Sequence, residues 1–541
     1  MFKMEINLVY VIGIVSVLVA LYVYLTRNNN FFKSFPIPCM QVEPLFGSHR
    51  KLLLKQISLH DFVRSNYERF PNAKIFGLFE MITPMFVVRD PELIKQITVK
   101  DFDHFVNHRA ILPGDGSSSS NSSIMFTKVL FNLNGQRWRN VRNTLSPAFT
   151  GSKMRQMFTM IVECSENMIK ELATFTGQEF EVKNLFIRFT NDVIASCAFG
   201  VRINSFRDKE NVFYRYGKDI TNFSRLKVFL KMMGYQLVPK LMAWLEIDIF
   251  DREHVQFFID LFRQSVQERE QHGIVRPDMI HLLMQANKGK LRYQPTDHEE
   301  VEGFATAKES NDEKVVPEDM VKLSENEMVA QCLIFFLAGF DIIASVMTFL
   351  LYEVALDSEI QQRLYEEIQQ VSESLDGKSI TYDALQSMRY LDMVVSETLR
   401  KWPSQPATDR LCNQDYKVTD VTPNVDIIIP KGCIVSIPIA GLHYDPAIYP
   451  DPTRFDPERF NDENKHKIPL GAYLPFGLGP RNCIASRFAL MEVKAIVYQL
   501  LRNYEFKRSE RTPVPLKLAK GFASTSAEKG IYLQLSPRQV E

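Results

Sequence analysis

The chain has 541 residues, with 64 Lys+Arg against 64 Asp+Glu, 45% hydrophobic and 24% charged residues, a balance that excludes a mainly disordered or fibrous protein. Zero net charge also excludes a dominant nucleic-acid function, because phosphate binding needs a large basic excess. At roughly 100–200 residues per domain the length allows several domains, or one large one that can enclose a sizeable cofactor. The cysteines (Cys39, Cys164, Cys197, Cys332, Cys412, Cys433 and Cys483) are odd in number and contain no C-x-x-C. That is neither a disulfide framework nor a zinc site, and it suits a reducing compartment.

Leu8 to Leu25 carries no charge. As a helix this run spans about 27 Å, enough for a bilayer core. It is long for a cleaved signal peptide, and no small-x-small cleavage site follows. Arg27 and Lys33 follow it, so the positive-inside rule places the body in the cytosol. Residues 1–26 are read as a single-pass anchor, 27–45 as a linker stiffened by Pro36 and Pro38, and 46–541 as the body.

Within the body, Ile75–Phe79 and Met85–Val88 read as a hairpin, and Pro91 opens a short helix. Gly114–Ser123 reads as a flexible loop, and its sequon at Asn121 stays bare on a cytosolic body. Helical patterns fill 135–290. Leu226–Phe250 is oily and reads by default as core helix, with a surface element that dips into the membrane as the alternative. Gln294–Asp319 reads as a charged surface connection. Met328–Leu356 reads as one long central helix, opened by the capping box Ser324-Glu325-Asn326-Glu327. Asp341 near its middle argues against a second membrane span. Beyond Trp402 come Pro-rich turns, a loop at Cys483 and a last helix over Ser486–Asn503.

Five segments carry chemistry. Phe476-Gly477-Leu478-Gly479-Pro480-Arg481-Asn482-Cys483-Ile484-Ala485 is a glycine-rich turn that presents one cysteine and leads into a helix, where backbone N–H groups can stabilise a thiolate. Glu397-Thr398-Leu399-Arg400 puts an acid and a base on one helix face, and Asp456-Pro457-Glu458-Arg459-Phe460 follows. Trp138 and Arg142 stack at i and i+4. Ala338-Gly339-Phe340-Asp341-Ile342 falls within the central helix.

Together these segments resemble the cytochrome P-450 superfamily, the haem-thiolate monooxygenases. The wording AGFD, PATDRLC and LPFGLGPRNCI is most similar to insect microsomal members, in particular family 9. The resemblance covers nearly the whole chain. It implies a mainly α fold: one large helical haem-enclosing domain with small β-sheets and an N-terminal transmembrane helix. It makes Cys483 the axial ligand of the haem iron, whose thiolate favours O–O cleavage. Phe476 would shield the sulfur. Arg481, Trp138, Arg142 and Arg410 would hold haem propionates, with His108 as one more donor. Glu397, Arg400 and Arg459 would form a structural cluster behind the Cys loop. Gly339 would let the central helix open where dioxygen sits, and Asp341 would deliver protons. This chain departs from the pattern twice. Ala485 stands where the family usually has Gly. Ile342 stands where it has Thr, and Ser345 lies three residues on.

The function so implied is insertion of one oxygen atom of O2 into a lipophilic substrate at the endoplasmic reticulum membrane, with the catalytic domain in the cytosol. Candidate substrates are plant toxins, insecticides or endogenous lipids, and the cofactor is haem b. The chain has no dinucleotide fingerprint, so electrons would come from an NADPH-dependent cytochrome reductase, with or without cytochrome b5. Arg137, Arg139 and Arg142 would place positive charge where relatives dock acidic partners. The resemblance draws the substrate cavity from residues 108–126, 213–250, 330–342, 404–409 and 521–526. Two readings stay open beside this one: a haem-thiolate enzyme that rearranges peroxides, and a non-catalytic haem or hydrophobe binder.

Overall fold

The computed structural model describes residues 8–109, 126–222, 225–289, 321–522 and 524–538. The Gly114–Ser123 loop, the Asn121 sequon and Gln294–Asp319 lie outside the described residues.

The N-terminal helix runs Leu8–Thr26, and its apolar side chains from Tyr10 to Tyr24 are open on all faces. A helix that buries nothing against its own protein gains nothing from being apolar in water. This one has the length and surface of a membrane span. The proline segment that follows is stitched to the body: Gly77 N–H donates to Pro38 O at 2.8 Å and Met40 N–H to Gly77 O at 2.9 Å. Phe32 packs edge-on against Phe79 and Phe86.

The hairpin pairs β1 (Ile75–Glu80) with β2 (Thr83–Val88) in antiparallel register from Ile75↔Val88 to Glu80↔Thr83. The remaining strands are β3 (Glu179–Glu181), β4 (Thr408–Leu411), β5 (Tyr416–Thr422), β6 (Val425–Ile429), β7 (Ile434–Ile437), β8 (Tyr504–Arg508) and β9 (Tyr532–Pro537). They form sheets ordered β1-β2-β7-β4 and β3-β9-β8, and the hairpin β5-β6. The first sheet matters for the site, because β4 carries Asp409 and Arg410 into the interior.

Helices make up the rest of the body. Ser486–Asn503 forms as the sequence indicates and packs on Gly151–Leu172. The capping box forms, with Ser324 and Glu327 bonded reciprocally. The central segment is not one helix, however. It is two, Glu325–Phe340 and Ile342–Leu356, interrupted at Asp341. Thr190 Oγ on the neighbouring helix Val182–Phe199 takes the Phe340 carbonyl at 2.8 Å, and Ser345 Oγ takes the Asp341 carbonyl at 2.8 Å. Side chains inserted into the hydrogen-bond ladder are a regular cause of such breaks. Both halves are enclosed by protein, as the sequence argument against a second span requires.

The Leu226–Phe250 segment departs from its default reading. It forms two short helices, Leu226–Leu237 and Pro239–Trp244, with Leu230, Leu241, Trp244 and Leu245 exposed. Among its described side chains, Tyr235, Met242, Ala243, Asp248, Ile249 and Phe250 are buried. The break falls at Pro239, which cannot donate to the preceding turn.

Candidate functional site

The Cys483 loop is fixed by its backbone. Cys483 N–H donates to Phe476 O at 2.8 Å and Asn482 N–H to Gly479 O at 2.9 Å. Gly479 sits at φ 76° against the Thr98 carbonyl, where a Cβ would come within 1.9 Å, so no other residue fits. Protein surrounds Cys483, yet its side chain keeps accessible surface, so the sulfur faces an internal cavity. Burial raises the thiol pKa, while the Ala485 N–H and Arg142 oppose that rise. A coordinated metal cation reverses the balance, because a ligating thiol is deprotonated outright.

Three arginines converge beside the loop. Arg142 donates from Nη1 to Asn482 O at 3.0 Å and from Nη2 to Asn482 Oδ1 at 2.7 Å. Arg481 lies 4.0 Å above the Trp138 ring and donates to the carbonyls of Val106 at 2.7 Å and Leu133 at 2.6 Å. Arg410, 1% exposed, donates to its neighbour's Asp409 carbonyl at 2.7 Å, and its Nε is buried without a bond. Burial lowers the Arg410 pKa to about 10. Burial, then Arg410, then Arg142, lower that of Arg481 to about 9. Guanidinium groups shift this way when cations are crowded out of water without matching anions. The donor set therefore fits an anionic group such as a pair of haem propionates, with Cys483 beside it as a soft ligand.

Glu397 and Arg400 come together, both fully buried, with Arg400 Nε to Glu397 Oε2 at 2.6 Å. Arg459 joins more loosely, its Nε 3.6 Å from Glu397 Oε1 and its Nη2 donating to Asp451 O at 2.8 Å. No motif marks His443. It is fully buried; its Nδ1 meets Arg400 O at 3.0 Å and its Nε2 accepts from Leu474 N–H at 2.9 Å. Leu474 stands two residues before Phe476, so His443 ties the Arg400 helix to the Cys loop. A lone His in a Pro-rich turn carries no signal of this.

At the helix break, Gly339 lets Ile194 approach to a distance that a Cβ would fill, 2.4 Å from Ile194 Cδ1. Ala338 is exposed and Ile342, one turn on across the break, is part-exposed, as are Ile334 and Phe335 on the same side, so an apolar face runs along this segment. Asp341 does not point freely inward. Its Oδ1 pairs with Lys183 Nζ at 2.8 Å and its Oδ2 accepts from Ser524 Oγ at 3.0 Å. Ser345 commits its proton to the Asp341 carbonyl. Lys183 could not be picked from the sequence, since a lysine at a helix start reads as solvated surface, while Ser524 falls within the 521–526 segment expected at the cavity.

His108 lies beside the arginine cluster and its Nδ1 is 2.8 Å from Asp409 Oδ1. On the outer face, Arg137 pairs with Glu327 and Arg139 with Asp103, while Arg142 turns inward. The positive face expected on this helix is thus partly neutralised by Glu327 and Asp103 from neighbouring elements.

A loop that presents a cysteine beside buried cations, on a mainly helical fold, fits a haem-thiolate site. The family model "Cytochrome P450" matches residues 37–535. The chain is 41% identical over 525 residues to "Probable cytochrome P450 9f2" of Drosophila melanogaster, covering 96% of this chain and 97% of that protein. It is 38% identical over 555 residues to "Cytochrome P450 9e2" of Blattella germanica, covering 99% of both, and 33% identical over 539 residues to "Cytochrome P450 6j1" of the same insect, again covering 99% of both. The chain belongs to the cytochrome P450 family, whose members are haem-thiolate monooxygenases.

Proposed function

We propose that this protein is a membrane-bound monooxygenase that oxidises lipophilic small molecules with electrons passed from NADPH by a separate reductase. The observation that carries this reading is Cys483 facing an interior cavity beside Arg142, Arg410 and Arg481. Cys483 Sγ would ligate the iron of haem b, and the three guanidinium groups, with the Trp138 N–H, would hold its propionates. When bound, the haem supplies oxygen activation and one-electron chemistry.

The chain supplies binding, orientation and protons. The face with Ala338 and Ile342 is apolar, so it favours lipophilic substrates and excludes water from the reacting position. Asp341 Oδ1, held by the partly exposed Lys183, marks where solvent protons reach the helix break. Phe476 shields Sγ, and the Glu397–Arg400–Arg459 cluster with His443 holds the Cys loop in place. Residues 1–26 would anchor the protein in the endoplasmic reticulum, with 27–45 as linker and 46–541 as the cytosolic catalytic body. Cytochrome b5 is a candidate second electron donor. Plant toxins, insecticides and endogenous lipids are all candidate substrates.

The test is NADPH consumption and product formation with purified reductase across a panel of lipophilic compounds. Product formed only with NADPH and reductase is expected. Turnover of peroxides without NADPH would assign the protein to rearrangement instead.

A further inference from the structure

Asp409 stands between two bases. Its Oδ1 is 2.8 Å from His108 Nδ1 and its Oδ2 2.8 Å from Arg109 Nε, and Arg109 continues to Glu80. His108 is buried, with its ring stacked on Phe131 at a centroid distance of 4.6 Å. A carboxylate in the ring plane and a phenyl on its face fix the imidazole in place. Because Asp409 takes Nδ1, Nε2 is the edge that meets a ligand.

That edge has two chemical characters. A neutral imidazole whose Nδ1–H donates to Asp409 offers only a lone pair at Nε2, whereas imidazolium offers an N–H on both sides. A propionate only accepts, so His108 can bond to one only after gaining a second proton. The charges acting on the ring are Asp409, Arg410 from β4 and Arg481 from the Cys loop, and the neighbouring Arg109 pairs with Asp409. Burial, Arg410 and Arg481 disfavour the extra proton, while Asp409 favours it. With opposing influences of this kind, one added negative charge in a poorly solvated pocket can decide the protonation state.

We infer that Asp409 is a positioning residue of the haem pocket, holding His108 so that Nε2 gains a proton when the haem iron is reduced. The inference rests on the haem-pocket reading above. One electron enters from the reductant and one proton from solvent forms the Nε2–H bond. The O–H bond of the solvent donor breaks, no bond in the protein does, and the net charge of the pocket stays constant. Asp409 acts through His108 and touches no reacting atom.

The experiment is a spectroelectrochemical titration of the haem-loaded full chain from about pH 5 to 8, the range in which histidine titrates. Dithionite is the reductant, and haem content and the ferrous–CO spectrum are recorded first. The midpoint potential is expected to fall with rising pH across one window and to be flat outside it. His108→Gln should be flat throughout. Asp409→Asn should move the window to lower pH, because the imidazolium loses its counter-charge. A flat wild type overturns the inference, as does an unchanged slope in His108→Gln or an unmoved window in Asp409→Asn. Where His108→Gln loads no haem, Asp409→Asn alone decides. A wild type without the thiolate CO band overturns the haem assignment itself. A flat potential with that band intact overturns only the role of Asp409.

Discussion

Arg400 is wholly buried against Glu397, giving Nε to Oε2 at 2.6 Å and Nη2 to Oε1 at 2.8 Å. The pair also closes on the backbone: Asp456 N–H donates to Glu397 Oε1 at 2.9 Å, and Arg400 Nη1 to His443 O at 2.8 Å. Burial pushes the Glu397 pKa up, and Arg400 pulls it back. Removing one partner leaves the other charge buried and uncompensated, at a cost of about 3–5 kcal/mol. Arg400→Ala should therefore give little haem-loaded protein, measured as haem per chain after purification. Normal haem content with slow turnover would contradict the structural role.

His443 adds a pH dependence. Burial, then Arg400, lower its pKa to about 3, so the folded protein holds it neutral. Below its unfolded value of about 6.5 the unfolded chain binds a proton that the folded chain refuses. Stability contributed by this site then falls with falling pH, by about 1.4 kcal/mol per unit, until pH reaches about 3. His443→Gln can still accept from Leu474 and donate to Arg400 O, but it cannot ionise. It should show a shallower loss of haem and of thermal stability between pH 6.5 and 4 than wild type. Identical acid limbs would show that other groups control the transition.

Much of this arrangement is legible in the sequence, and what is not has a physical reason. The capping box, Pro91 at a helix start and the run at Leu8 depend on neighbours in sequence, and each forms as read. The break at Asp341 depends on Thr190, a residue on another helix, so periodicity alone gives one continuous helix. Leu226–Phe250 has core-like composition, but which of its faces is covered depends on packing, and Trp244 and Leu241 are left out. At the site, the Cys483 loop and the Glu397–Arg400 pair announce themselves by motif. His443, Asp409, Lys183 and Ser524 do not. Each acts through contacts to residues distant in sequence.

The exposed Leu230, Leu241, Trp244 and Leu245 predict a second membrane contact. Each leucine that leaves water contributes about 1.5–3 kcal/mol. Deleting residues 1–26 should therefore release the protein from membranes only in part, measured by flotation with lipid vesicles. Adding Leu241→Glu and Trp244→Glu to the truncation should abolish flotation. A truncated protein with no affinity for vesicles would rule the contact out.

Ile342 brings an apolar branch where the family has a hydroxyl, and the nearest alternatives are occupied. Ser345 gives its proton to the Asp341 carbonyl, and Asp341 is tied to Lys183 and Ser524. A positioned proton donor is worth about 10²–10⁴ in rate. We expect appreciable hydrogen peroxide released per NADPH, and better coupling in Ile342→Thr. The measurement is NADPH consumed, peroxide formed and product formed in both proteins. Tight coupling in the native protein, with Ile342→Thr changing only which substrates fit, would defeat the proton argument.

The central claim is that Cys483 ligates the haem iron through its thiolate. The ferrous–CO spectrum of the full chain, compared with those of Cys483→Ala and Cys483→His, tests it most directly. The strongly red-shifted Soret band of thiolate ligation is expected in the native protein, and its loss in both variants. Survival of that band in Cys483→Ala would contradict the assignment.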